Sequence, residues 1–231
     1  LLFEVIIPTE LEKQKSVVAY ISSSPMSNWG KPDDFKKGDN HYWGIWHGEA
    51  PLEDFNTHIP RFASEYGMPS LGVNSSINYY NTTEAQQNNF LWNRMKSYKG
   101  MKLLNHYINE YLPSPNTDSA LSYASRFIQY KALKTAYNAH LYHFPYCAGS
   151  LFWQFNESWP GITWATIDFS GQRKIPPYQS DFTMLVDQKG VVNLKYLISE
   201  KKHLRLNLIE FTLNDLDGKT LKKHGIKCSA N

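Results

Sequence analysis

Four short apolar runs, each followed by helical or looping chain, constrain this fold more than any other feature of its 231 residues. They lie near Val17, His41, Phe62 and Ser150. Strand alternating with helix predicts a parallel sheet covered by helices. Four such units make half of an eight-stranded (β/α)8 barrel. Val17-Val18-Ala19-Tyr20-Ile21 is β-branched and runs into Ser22-Ser23-Ser24-Pro25, which predicts a buried strand with a polar mouth. His41 to His47, rich in aromatics, reads as a second strand. Arg61-Phe62-Ala63-Ser64-Glu65 reads as a third, stopped by Tyr66-Gly67 and Pro69. Gly149 to Asn156 reads as a fourth.

The intervening chain fits helices and loops. Leu2, Val5, Ile6 and Leu11 have helical spacing, interrupted at Pro8. Asn28 to Asn40 is loop, and Pro51 to Pro60 is a connecting segment. A helix is expected from Thr83, and another over Lys102 to Leu112, ended by Pro113. Leu121, Ala124, Ile128, Ala132, Ala136 and Ala139 mark one face of a long helix capped by Thr117 or Asp118. Its small residues allow close approach to strands. Pro176-Pro177 forbids a helix there.

Composition shifts near Ser180. Alternating apolar residues at Val192, Leu194 and Tyr196, and again at Leu204, Leu206 and Leu208, predict antiparallel strands, with Asp217-Gly218 as a hairpin turn. Three or four strands fall short of the seven of an immunoglobulin-type sandwich. The expected organisation is therefore α/β: residues 1–179 as a partial barrel, and residues 180–231 as part of an immunoglobulin-like β-sandwich.

Composition excludes several classes. The apolar share of 42% and charged share of 19% mark a globular chain. A formal charge of +3, with no basic cluster interleaved with aromatics, argues against a nucleic-acid partner. No stretch approaches a membrane span. Cys147 and Cys228 lack metal-ligand spacing and read as free thiols. Leu1-Leu2-Phe3 lacks the basic start and cleavage pattern of a signal peptide. With no initiator Met either, the chain reads as cut from something longer. An aromatic share of 15% fits a large core, or a groove that stacks on flat apolar faces such as those of sugars.

The candidate chemistry centres on Glu65. A carboxylate at the C-terminal end of a buried parallel strand is where a barrel enzyme places its chemistry. Taken alone, such a Glu is more often salt-bridged or merely at the surface.

The motif set sharpens this reading. Ser23-Ser24-Pro25, Gly38-Asp39-Asn40-His41-Tyr42-Trp43, Arg61 to Gly67, and Leu151-Phe152-Trp153-Gln154-Phe155-Asn156-Glu157-Ser158-Trp159-Pro160 resemble, in order and spacing, the β-mannosidases of glycoside hydrolase family 2. Trp164-Ala165-Thr166-Ile167-Asp168 and Gly171-Gln172-Arg173-Lys174 resemble the family's chain just past its last barrel strand. The resemblance covers residues 1–178 well and the tail loosely. It implies a TIM barrel flanked by β-sandwich domains, with this chain carrying barrel strands five to eight. The implied reaction is retaining hydrolysis of terminal β-mannosides, with a Glu at the end of strand seven as nucleophile. Glu65 stands in that motif. The implied acid/base comes after an Asn at the end of strand four, a place this chain does not contain. Its Asn-Glu pairs, Asn109-Glu110 and Asn156-Glu157, stand elsewhere, and the family usually has Asp where this chain has Glu157. Pro176-Pro177 also departs from a family that tends to continue into a helix there.

Retaining hydrolysis needs two carboxyl groups about 5–5.5 Å apart, one to attack and one to give and take a proton. The nucleophile needs donors around it to stay ionised. Tyr66, His41 and Arg61 are the candidates. The resemblance makes Trp153 a wall under the reactive sugar, where an indole face suits the C–H face of a pyranose. Asp39 and His41 are candidates for sugar hydroxyls, or for anchoring their loop. Tyr42 and Trp43 are more often core residues than ligand contacts. Asn156 is a candidate contact, and with Glu157 equally a brace of the strand end. The chemistry calls for no cofactor and no metal. The expected partners are a β-mannoside glycan and the missing N-terminal half of the same protein, because half a barrel leaves open edges and an unsatisfied apolar face. A reading from another class remains beside it: a non-catalytic carbohydrate-binding or interaction module made from a split or decayed barrel.

Overall fold

The computed structural model describes residues 1–15, 19–73 and 99–176, the strands 182–186, 192–196 and 208–214, and residues 219–227. Val17-Val18, the helix expected from Thr83, the Asp217-Gly218 turn and Cys228 lie outside the described residues. The chain divides into two compact units, Leu1–Lys195 and Tyr196–Asn231.

In the first unit a π-helical turn, Leu2–Ile6, leads into α1, Ile7–Lys13. Pro8 sits in the first turn of α1, where the chain passes from π-helical to α-helical winding. Ala19, Tyr20 and Ile21 are exposed and form no strand, which corrects the buried strand expected there. Pairing begins later, at Ser27.

A parallel ladder carries the unit. β1, Asn40–His41, pairs with β2, Ala63–Glu65. Parallel bridges extend it on both sides, from Ser27 to Asn40 and from Ala63 to Ser150. Four successive segments thus run side by side, in chain order and in one direction. Their bonds are short: Asn40 N–H donates to Phe62 O at 2.9 Å, Ala63 N–H to Gly149 O at 2.9 Å, and Leu151 N–H to Ala63 O at 2.8 Å. The fourth run is held as this bridge rather than as a full strand.

The second run also departs from expectation. Only Asn40 and His41 are extended; from Trp43 the chain turns helically, with His47 N–H donating to Trp43 O at 2.9 Å and Glu49 N–H to Ile45 O at 2.9 Å. Gly44 and Gly48 make the turn tight, since a Cβ on Gly48 would overlap the Gly44 carbonyl oxygen. The turn buries Ile45 and Trp46. A short 3-10 helix, Leu52–Asn56, then occupies the connecting segment and buries Leu52 and Phe55.

Two helices cover this layer. α2, Gly100–Tyr111, buries Leu103, Leu104, Tyr107 and Ile108, residues at helical spacing. The Tyr107 hydroxyl lies 2.7 Å from the carbonyls of Ile45 and Ala50 and ties α2 to the turn after β1. α3, Asp118–Tyr142, is capped by Thr117, whose hydroxyl accepts from Ala120 N–H at 3.1 Å. Its small residues Ala124, Ala132, Ala136 and Ala139 are buried as expected.

The same face of α3 also buries Ser122, Ser125, Gln129 and His140, which the apolar period alone does not predict. The first three bind backbone just past β2. Ser125 Oγ accepts from Leu71 N–H at 3.1 Å, and Ser122 Oγ donates to Gly72 O at 2.7 Å. Gln129 Nε2 faces the carbonyls of Met68, Trp164 and Ala165 at 2.9, 3.0 and 3.0 Å, and its Oε1 accepts from Ser70 Oγ at 2.7 Å. Buried polar groups that find partners in this way cost little and fix a unique arrangement. One helix thereby locks the chain leaving β2 to the chain leaving the fourth ladder segment.

β3, Phe182–Val186, lies against α3 and shares a two-stranded sheet with β4, Val192–Tyr196. In the second unit β5, Leu208–Asn214, and β6, Thr220–Lys227, pair antiparallel, from Leu208 opposite Lys227 to Asn214 opposite Thr220. Among the described residues, no helix is long and apolar enough to cross a membrane.

Candidate active site

The C-terminal ends of the ladder segments converge on Glu65. Its backbone carbonyl accepts from Tyr42 N–H at 2.9 Å, so the strand end is pinned before the side chain is considered. Its carboxylate Oε2 takes the Nδ1–H of His41 at 2.9 Å, and the two side chains are 22% and 23% exposed, half-sunk in the surface. Of the three candidate neighbours, His41 is the one in contact. Tyr66 is buried, and its hydroxyl lies 2.9 Å from Ser150 Oγ. Arg61 stacks over the Tyr146 ring at 4.7 Å.

His41 leads to a second carboxylate. Its Nε2 lies 3.3 Å from Ser24 Oγ. Ser24 Oγ donates to Asp39 Oδ2 at 2.6 Å, Ser64 Oγ donates to the same oxygen at 2.6 Å, and Met26 N–H donates to Oδ1 at 2.7 Å. Burial pushes the Asp39 carboxyl up, but the bonds from Ser24, Ser64 and Met26 outweigh it and hold it below the usual range. Asp39 is thus tied both to its own loop and to β2.

Trp153 meets the chain just past Glu65 through its backbone. Its N–H donates to Tyr66 O at 2.7 Å, one residue past Glu65, and its side chain is 46% exposed. The peptide linking Trp153 to Gln154 is cis. Gly67 lies against the Trp153 carbonyl so closely that no Cβ fits there.

Other sequence candidates sit apart. Tyr42 is buried: its hydroxyl donates to Asp54, and its ring stacks on His58 at 5.2 Å and 13°. Trp43 is half-buried and meets Trp164 edge-on at 5.8 Å. Asn156 is exposed and bridges Ile167 through its backbone, with Gln154 Nε2 donating to its carbonyl at 2.7 Å.

Neither Asn-Glu pair presents a free carboxyl at a strand mouth. Glu110 lies on the exposed side of α2. Glu157 is buried; it accepts from the Thr163 hydroxyl and from Phe169 N–H at 3.3 Å, and Lys174 Nζ lies 3.8 Å away. Lys174 also donates to Ser70 O at 3.0 Å and Thr163 O at 3.2 Å, and burial brings its pKa down to about 8. Asp168 accepts from Ser170 N–H at 3.0 Å and Val73 N–H at 3.2 Å. This buried cluster, which sequence reasoning missed apart from Glu157, ties the loop after the fourth ladder segment to the chain after β2. Its signal was the run of charged and hydroxyl residues within an otherwise apolar motif. Among the described residues, no group of His, Cys, Asp and Glu is arranged to hold a metal ion.

Comparison with known proteins is consistent with the motif reading. No protein-family model matches the chain. It is similar to proteins named beta-mannosidase B from Aspergillus flavus and Emericella nidulans, 28% and 27% identical over 175 residues. Each alignment covers 73% of this chain and 21% of the relative, so the chain spans about a fifth of the length of these curated relatives. Its fold is similar to part of a solved structure, a beta-D-mannosidase from Dictyoglomus thermophilum. The TM-score is 0.70 at 20% identity, covering 97% of this chain and 34% of that one.

Proposed function

We propose that this chain supplies the C-terminal half of a (β/α)8 barrel, strands five to eight, and the nucleophile of a retaining glycoside hydrolase acting on terminal β-mannosides. The observation that carries the reading is Glu65: a part-exposed carboxylate at the end of the third of four parallel segments, braced by His41 at 2.9 Å, with an exposed Trp153 whose N–H is bonded to the next residue's carbonyl. Relatives named beta-mannosidase B support the choice of sugar. Residues 180–231 then begin the β-sandwich that comes after the barrel.

In this reading Glu65 attacks the anomeric carbon as the glycosidic bond to the leaving oxygen breaks, giving a glycosyl-enzyme. His41 N–H stabilises the carboxylate before attack and again as it departs. Trp153 carries the sugar ring on its indole face. A Glu outside residues 1–231 protonates the leaving oxygen and then takes a proton from the water that releases the sugar. The barrel half that brings this acid also covers Ile21, Leu151 and Phe155, apolar side chains that are 61%, 56% and 65% exposed.

The test is mass labelling of the full-length protein with 2-deoxy-2-fluoro-β-mannosyl fluoride. Fluoride leaves without an acid's help, so the reagent reads the nucleophile alone. A mass shift mapping to Glu65, abolished in Glu65→Gln, is the expected result. Labelling that persists in Glu65→Gln removes Glu65 from the role. A full-length protein that is never labelled is the result expected of a non-catalytic module.

A further inference from the structure

Resting on that reading, we propose that Ser24 and Asp39 are positioning residues: they hold the orientation of the His41 ring, and the ring in turn holds Glu65. Hydrogen-bond geometry carries the inference. A serine hydroxyl has one proton and two lone pairs. At 2.6 Å from the ionised Asp39 carboxylate, the Ser24 proton goes to Oδ2, because two acceptors facing each other at that distance repel. The Ser24 oxygen is left facing His41 Nε2, 3.3 Å away, and Nδ1 faces the Glu65 carboxylate at 2.9 Å. The ring thus lies between two carboxylates, touching Glu65 directly and Asp39 through Ser24.

The remaining bonds on Asp39 fix its carboxylate. Ser64 donates to Oδ2 at 2.6 Å and the Met26 amide to Oδ1 at 2.7 Å, so the carboxylate is tied to both the β2 strand and the loop before β1. The effect of Asp39 on the reaction runs through the orientation of His41, and so through the direction from which Glu65 is held.

The experiment combines two readouts on the full-length protein. The first is 15N-detected NMR of the histidine ring nitrogens at neutral pH, with His41 assigned by loss of its signals in His41→Gln. The His41 ring signals are expected to shift in Ser24→Ala and to return in Ser24→Thr. Signals that are the same in the wild type and in Ser24→Ala overturn the proposal. The second is the rate of labelling by the mannosyl fluoride. Ser24→Ala and Asp39→Asn should slow the covalent step by about 10- to 100-fold, the range for partners one step behind a reacting group, with reagent binding unchanged. Ser24→Thr, which returns the hydroxyl, should recover most of the rate. Ser64→Ala, which removes an Asp39 donor with no link to His41, should lose less than Ser24→Ala. Equal losses in those two variants would reduce the network to a loop anchor and overturn the proposal. Labelled wild type with an unchanged rate in Ser24→Ala overturns it alone. Wild type that is never labelled overturns both it and the glycosidase reading.

Discussion

Replacing Gly67 with Ala tests whether the close approach of two ladder segments builds the site. A Cβ at position 67 falls well within 3.0 Å of the Trp153 carbonyl oxygen, and lies 3.1 Å from Trp164 Cδ1 and 3.3 Å from the Trp153 carbonyl carbon. The main obstacle is backbone, and neither side is free to yield. Trp153 N–H is bonded to Tyr66 O at 2.7 Å, and the chain after Gly67 is clamped by Gln129 through Met68 O at 2.9 Å. Relief needs a shift on the order of 1 Å, against an overpacking cost of about 1–3 kcal/mol in a well-filled site. The Trp153 bond stretches at the same time, losing about 1 kcal/mol more. Against this, Ala for Gly gains about 0.4–1 kcal/mol from the stiffer unfolded chain. The net loss is about 1–3.5 kcal/mol. Gly30 is the internal control, because nothing lies within 4 Å of a Cβ there. Urea unfolding followed by tryptophan fluorescence should move the Gly67→Ala midpoint down by about 0.5–2 M at a slope of about 2 kcal/mol per M, while Gly30→Ala stays near wild type or rises. Equal midpoints for the two variants would refute the close-approach argument. The shift also displaces Trp153 from the end of β2, so labelling by the mannosyl fluoride should slow in Gly67→Ala and not in Gly30→Ala.

Two other perturbations act away from the site. Thr117→Ala removes the hydroxyl that caps α3 and should cost about 0.5–2 kcal/mol, read from the same urea curves, whereas Thr117→Ser should cost little. Burial, and secondarily the nearby His143, brings the His140 pKa down to about 4 from 6.5. The unfolded chain therefore gains a proton on this ring as pH falls through 6.5, while the folded chain waits until about 4. Its contribution is full above 6.5 and is lost across that window, by roughly 3 kcal/mol in all. His140→Gln should flatten the acid limb of stability against pH, and an unchanged slope contradicts the assignment.

The parts of this fold that were legible in the sequence are those with a long period or a strong local signal. α3 announces itself by a Thr cap and small apolar residues repeated over many turns. Three of the four ladder segments, at Asn40, Ala63 and Ser150, fall within apolar runs bounded by turn residues; the first does not, because pairing starts at Ser27, past the β-branched run that ends at Ile21. The aromatic run from His41 misleads because composition outweighs spacing: Gly44 and Gly48, one helical turn apart, were the local signal that the chain folds back on itself. The buried polar face of α3 stays hidden for a different reason. Ser122, Ser125 and Gln129 look like surface residues until the carbonyls and amides they bind, which come from chain distant in sequence, are brought alongside.

The site divides along the same line. That Glu65 ends a strand is local information, carried by the apolar run before it and Tyr66-Gly67 after it. Which neighbour faces it is not. A regular parallel ladder that sets Asn40 opposite Ala63 would set His41 opposite Ser64. The register shifts between Asn40 and His41, so that His41 stands opposite Glu65 instead. Such a shift belongs to a pair of strands rather than to either one, and bulges of this kind re-aim side chains beside active sites. Period-two patterning reads each strand separately, which is why it left Tyr66, His41 and Arg61 equally placed. The skipped residue has its own use: Ser64, left without a partner directly across the ladder, donates to Asp39 at 2.6 Å. One irregularity in one strand pair therefore puts a ring N–H on Glu65 and closes the carboxylate behind it.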